Sequence, residues 1–114
     1  MNDDWHPQAG DLFWVDLSPT SGTEQSGRRP VLVISIDPFN QTTNRVVVLP
    51  TTSRMRGWAT EVSYETDDSL SGVILCDQIR TIDWRARFAR KAGRVRDNTL
   101  LDVRRKLAII IGAD

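Results

Sequence analysis

The stretch GDLFWVDLSPTSGTEQSGRRPVLVIS, Gly10 to Ser35, holds two strands and the loop between them. Its first eight residues alternate with the period of an extended chain. Phe13, Val15 and Leu17 fall on one face and Leu12, Trp14 and Asp16 on the other. PVLVIS, from Pro30 onward, is apolar on both faces, which predicts a central strand, and a proline is tolerated at a strand's first residue. Ser18 to Gly27 between them predicts a long connecting loop. That loop is polar, punctuated by glycine, and runs into the consecutive arginines Arg28 and Arg29. A loop that only turns does not need a carboxylate, an amide and two guanidinium groups, so this one is the first candidate for function.

Working outward, DPFNQTTN predicts a turn-rich link, RVVVLP a strand that Pro50 ends, and TTSRMRG a second polar loop. WATEVSY alternates as a shorter strand, TDDSLSG turns, and VILCDQI is a buried strand. RTIDWRARFARKAGRV is basic and irregular or weakly extended. DNTLLDVRRKLAIIIG predicts a helix, with Asp97 able to cap its start, Leu100, Val103, Leu107 and Ile110 on one stripe, and Gly112 at its end. Five or more short strands and one terminal helix predict a mainly β fold, a small, strongly bent antiparallel barrel of SH3-like type with the helix over one opening.

With 114 residues, one domain spanning residues 1–114 is expected. MNDDWHPQAG at the start has no basic stretch leading into an apolar one. The longest apolar runs, VLVI, VVVL and LAIII, fall far short of the ~18 residues of a membrane span, so a soluble, cytoplasmic protein is expected. One cysteine, Cys76, and one histidine, His6, supply neither a disulfide nor zinc spacing, and no cofactor is expected. The formal net charge is zero, but residues 1–77 carry 5 basic and 11 acidic side chains while residues 78–114 carry 10 basic and 4 acidic. Such asymmetry polarises the surface and steers a polyanion to one face.

Three polar clusters sit at predicted strand ends: Thr23, Glu24, Gln25, Arg28 and Arg29; Thr51, Thr52 and Ser53; Asp77, Gln78 and Arg80. On one rim they would hold a phosphodiester and the base edges beside it. The plain alternative is a surface ion pair of Glu24 with Arg29, hydroxyls that satisfy turn backbone, and an Asp77 that caps a strand. Cys76, between Leu75 and Asp77, reads as a small core residue rather than a nucleophile. Trp58 and Trp84, beside polar loops, are candidates for stacking on bases.

The run from Gly10 to Ser35, followed by VVVLPTTS and CDQIRTIDWRAR, resembles the MazF/PemK/Kid family of toxin endoribonucleases over nearly the whole chain. That resemblance implies an SH3-like barrel, a homodimer, metal-free cleavage of single-stranded RNA at short sequences, and inhibition by an antitoxin whose acidic, partly disordered tail covers the RNA groove. It places Arg29 and Thr51 on the family's catalytic arginine and threonine, and Glu24, Gln25, Asp77 and Gln78 on substrate-contacting positions.

Metal-free cleavage uses the 2′-hydroxyl as nucleophile and needs a proton acceptor, a proton donor and compensation of phosphorane charge. Arg29 would supply charge, Thr51 a hydrogen bond to a non-bridging oxygen, and Asp77 or Glu24 the base. Arg28 and Arg80 would position phosphates, while Gln25, Thr52, Ser53 and Gln78 would read base edges. The arginines from Arg85 to Arg96 would form a face shared by RNA and antitoxin. Two other classes share the barrel: a gyrase-poisoning toxin of the CcdB type, which depends on a tryptophan-bearing C-terminal end where this chain has IIIGAD, and a non-catalytic RNA- or protein-binding module.

Overall fold

The computed structural model describes residues 5–17, 22 and 27–113, and of Ala89 the backbone alone. Strand β1 (Asp11–Asp16) lies between β2 (Arg28–Val33) and β7 (Phe88–Arg94). β2 pairs on its other edge with β3 (Arg45–Thr52). β3 changes partner along its length. Arg45 to Val48 pair with β6 (Arg80–Asp83), whereas Thr51 and Thr52 pair with β5 (Ser71–Leu75), whose far edge takes β4 (Glu61–Glu65). Every pairing is antiparallel, and the sheet curls into a half-barrel.

The alternation seen in Gly10 to Leu17 is the reason that the sheet separates two cores. Leu12, Leu32, Leu49, Val62, Tyr64 and Ile74 pack on one face under Leu100 and Val103 of helix α3 (Asp97–Ile111). Phe13, Val15, Leu17, Val31, Val33, Val46, Val48 and Ile82 pack on the other with Trp84 of the short helix α2 (Trp84–Arg87). Each such side chain, once buried, contributes roughly 1.5–3 kcal/mol against the ordering of the chain.

Several expectations are corrected. β3 does not stop at Pro50 but runs through Thr52. Pro50 stands where the β6 pairing has ended and the β5 pairing has not begun, so its missing N–H removes little from the ladder. DPFNQTTN is a helix, α1 (Asp37–Thr43), with the proline in its first turn and Asn44 ending it in the left-handed region at φ 56°. Its Asn40 is buried, and Nδ2 donates to the carbonyls of Pro7 and Ser35, each at 2.9 Å. The basic stretch after Arg80 is β6, α2 and β7 in succession. β7 conceals its periodicity because its register against β1 shifts twice.

Helix α3 starts one residue earlier than a capping Asp97 requires: Arg96 is the N-cap, and Asp97 acts from the first turn on the helix dipole. At the other end Gly112, at φ +73°, closes the helix with Ala113 N–H on the Ala108 carbonyl at 2.8 Å. Leu100 and Val103 are buried and Leu107 packs against them, but Ile110 is 41% exposed, so the stripe overruns the barrel by its last turn.

Candidate functional site

Arg28 and Arg29 lie inside β2 rather than in the loop, opposite Asp16 and Val15 of β1. Neighbours on a strand point to opposite faces, so the two guanidinium groups approach the strand end from two sides. Thr51 and Thr52 reach the same end from β3. These four residues, with Ser53, Trp14, Pro30 and Tyr64, border a cleft of about 190 Å³ whose floor extends to Leu70 and Ser71. A larger cleft of about 550 Å³ lies among the aromatic Trp5, Phe13, Trp84 and Phe88 and the cations Arg85, Arg90 and Lys91; it brings together none of the three polar clusters. The smaller cleft is the one that gathers residues of the first two polar clusters.

Thr51 is buried, and its hydroxyl donates to the Pro30 carbonyl at 2.8 Å, which ties β3 to the entry of β2. Thr52 accepts the Arg54 N–H at 3.2 Å, the backbone role that the plain alternative gave it. Tyr64 was not among the sequence candidates because EVSYE reads as an ordinary half-buried strand. Burial raises its phenol pKa above the usual value, and a hydrogen bond with Thr51 offsets part of that rise. Its neutral hydroxyl is therefore a cleft-wall group at ordinary pH. The signal that finds it is the row Thr51, Ile74, Val62 across β3, β5 and β4, which sets β4 one strand beyond β5 from the threonines.

The third cluster stands apart. Asp77 is exposed, and neither it nor Gln78 nor Arg80 borders the cleft. Gln78 N–H closes a turn on the Leu75 carbonyl at 3.2 Å. Arg80 reaches back to the Leu17 carbonyl at 3.4 Å, one residue past the end of β1. Glu24 and Gln25 lie outside the described residues, as does Thr23.

The basic segment is divided in its duties. Lys91 and Arg94 hold the buried Asp11 carboxylate at 3.3 and 3.0 Å and so fasten β7 to β1. Arg90 instead sits over the Trp14 ring at 5.7 Å, next to the cleft. Cys76 is buried in the α3-side core, and its thiol is pushed up to about 11 by burial, lowered in part by Lys106 and raised by Asp77. A thiol so protonated is no nucleophile at neutral pH. Among the described residues, no three His, Cys, Asp or Glu side chains are grouped to hold a metal, and no helix is long and apolar enough to cross a membrane.

A curled antiparallel half-barrel with one C-terminal helix and a rim of guanidinium and hydroxyl groups defines the class, a small SH3-like barrel protein. The chain belongs to the PemK-like, MazF-like toxin family of type II toxin–antitoxin systems, whose family model matches residues 8–111. It is 40% identical over 106 residues to the endoribonuclease toxin MazF of Escherichia coli K12, covering 93% of this chain and 95% of the relative. The crystal structure of MazF (Form-I) from Deinococcus radiodurans is 39% identical, with a TM-score of 0.87 over 96% of this chain and 99% of that one. A MazE–MazF structure (Form-II) from the same organism is 35% identical, with a TM-score of 0.81 over 97% and 100% of the two chains.

Proposed function

We propose that the chain, as one toxin domain over residues 1–114, is an endoribonuclease that cuts single-stranded RNA by attack of the 2′-oxygen on the adjacent phosphorus. The bond from phosphorus to the 5′-oxygen breaks, leaving a 2′,3′-cyclic phosphate and a 5′-hydroxyl. A base takes the 2′-hydroxyl proton and a donor returns one to the departing oxygen, so no water or metal enters the first step. The observation that carries this reading is the meeting of Arg28 and Arg29 from β2 with Thr51 from β3 in one small cleft. Support comes from the MazF relatives named as endoribonucleases.

Arg29 stabilises the phosphorane charge, and Arg28 and Arg80 hold neighbouring phosphates. Thr51 turns its hydroxyl from the Pro30 carbonyl to a non-bridging oxygen when phosphate arrives. Glu24 or Asp77 is the base, with Glu24 the better placed in sequence beside Arg28 and Arg29, since Asp77 does not border the cleft of its own protomer. Gln25, Thr52, Ser53 and Gln78 read base edges. The working unit is a homodimer; Ile109, Ile110 and Ile111, exposed at 79, 41 and 66%, form an apolar end that a second copy would cover. An antitoxin, the partner in the MazE–MazF structures, blocks RNA by laying an acidic segment over the arginines.

Incubating the purified protein with a long RNA in EDTA and mapping the cut ends tests the reaction. Cuts at short recurring sequences with 2′,3′-cyclic phosphate ends are expected. Activity lost in EDTA and restored by magnesium would contradict the metal-free chemistry, and intact RNA under all conditions would contradict the reading itself.

A further inference from the structure

The segment that leaves the cleft after Ser53 is organised well beyond what a connection between β3 and β4 requires. Glu61 Oε1 accepts the backbone N–H groups of Arg56 and Gly57 at 3.1 and 3.0 Å. Glu61 N–H donates to the Trp58 carbonyl at 3.1 Å, and Lys106 of α3 donates to the Ala59 carbonyl at 2.7 Å. Gly57 makes the turn possible at φ +77°. What this framework displays is an indole: Trp58 is 55% exposed, with the Arg56 guanidinium 5.2 Å from its ring centroid. A loop held by so many backbone hydrogen bonds presents the ring with little entropy left to lose on binding.

Thr51, Ile74 and Val62 stand in one row across three strands, so Val62, next to the Glu61 that anchors the loop, lies about two strand spacings, ~10 Å, from Thr51. The loop that carries Trp58 thus leaves the cleft at Ser53 and ends on β4, two strands from Thr51. An aromatic face with the Arg56 guanidinium beside it and Arg54 near in sequence has the chemistry of a single-strand subsite, a π surface for a base and cations for its phosphates. An acidic peptide would use the cations but has no general use for an open indole face.

We infer that Trp58 is a base-stacking subsite for the RNA strand, in which an unpaired nucleobase flanking the cut lies on the indole and its phosphate meets Arg54 or Arg56. The inference rests on the endoribonuclease reading above and goes beyond it by assigning where the strand runs after leaving the cleft. Stacking supplies affinity rather than chemistry, so the ring should govern binding and leave the cutting step nearly untouched.

The test uses full-length parent, Trp58→Ala and Trp58→Phe, with a 2′-O-methylated oligoribonucleotide spanning a mapped cut site as the binding probe and its unmodified form for cleavage. Trp58→Ala should raise Kd roughly 10- to 30-fold, within the range for losing one base stack. Its single-turnover rate at saturating RNA should stay within a few-fold of the parent, and its thermal midpoint should be unchanged. Trp58→Phe, which keeps a π face, should recover most of the affinity. Parent-like Kd for Trp58→Ala would overturn the subsite while leaving the endoribonuclease reading intact. So would a variant that binds RNA normally but loses dimerisation or antitoxin binding. A parent that cut no RNA would remove the reading and the subsite together.

Discussion

Thr51 has one hydroxyl proton, given at present to the Pro30 carbonyl, and the proposed chemistry asks the same proton to serve a phosphate oxygen. Its catalytic candidacy was legible in the sequence through the VVVLPTTS motif, but its partner was not, because the contact spans 21 positions of the chain. Cys76 was legible for the opposite reason: an apolar run around it marks a core. Its raised pKa makes a prediction with a definite sign. The folded state favours the neutral thiol, so this contribution is fully present below the usual thiol value of 9.0 and is lost as pH climbs toward about 11. Stability by chemical denaturation should fall across that alkaline window, and less so in Cys76→Ala compared with its own value at neutral pH. Iodoacetamide should leave native protein unmodified at pH 7.5 and react once it is unfolded. Rapid alkylation of the native protein would show that the thiol is neither buried nor protonated.

At the scale of elements, β1 to β5 and α3 could be read from the apolar pattern, whereas α1 and the succession β6, α2, β7 could not. α1 is short and polar, and its one buried side chain, Asn40, is recruited by backbone carbonyls rather than by an apolar stripe. β7 carries arginines on an edge and shifts register twice, so period-two alternation never accumulates. The β3–β5 seam beside the cleft was likewise hidden by Pro50, which looks like a strand terminator. Gly72 is what lets that seam close. A Cβ there would stand 2.8 Å from the Thr52 carbonyl oxygen and 3.2 Å from the Tyr64 ring. Gly72→Ala should therefore cost about 1–3 kcal/mol, the scale of overpacking. Cleavage should suffer too, because the backbone that must yield is that of a cleft residue. Parent-like thermal stability in Gly72→Ala would mean the seam has slack that the geometry does not show.

For the whole molecule, β7 of the basic last part of the chain returns beside β1 of the acidic first part. Asp11 absorbs Lys91 and Arg94 as structural partners, and Arg90 is left beside Trp14 near the cleft. Lys91 and Arg94 thus serve the fold as well as the charge of the last part of the chain, a use that the sequence did not reveal. What the sequence and the fold share is the convergence on Arg29, and the most direct test of the account is the single-turnover rate of RNA cleavage by Arg29→Ala and Arg29→Lys. Both variants should be compared with the parent at equal thermal midpoint and oligomeric state. Loss of one preorganised donor should slow Arg29→Ala by roughly 10²-fold or more. Arg29→Lys should recover little, since a point charge on a flexible stem does not reproduce the guanidinium fork. A folded Arg29→Ala protein that cut RNA within a few-fold of the parent rate would contradict the account, because the cleft at the end of β2 and β3 would then not be where the reaction takes place.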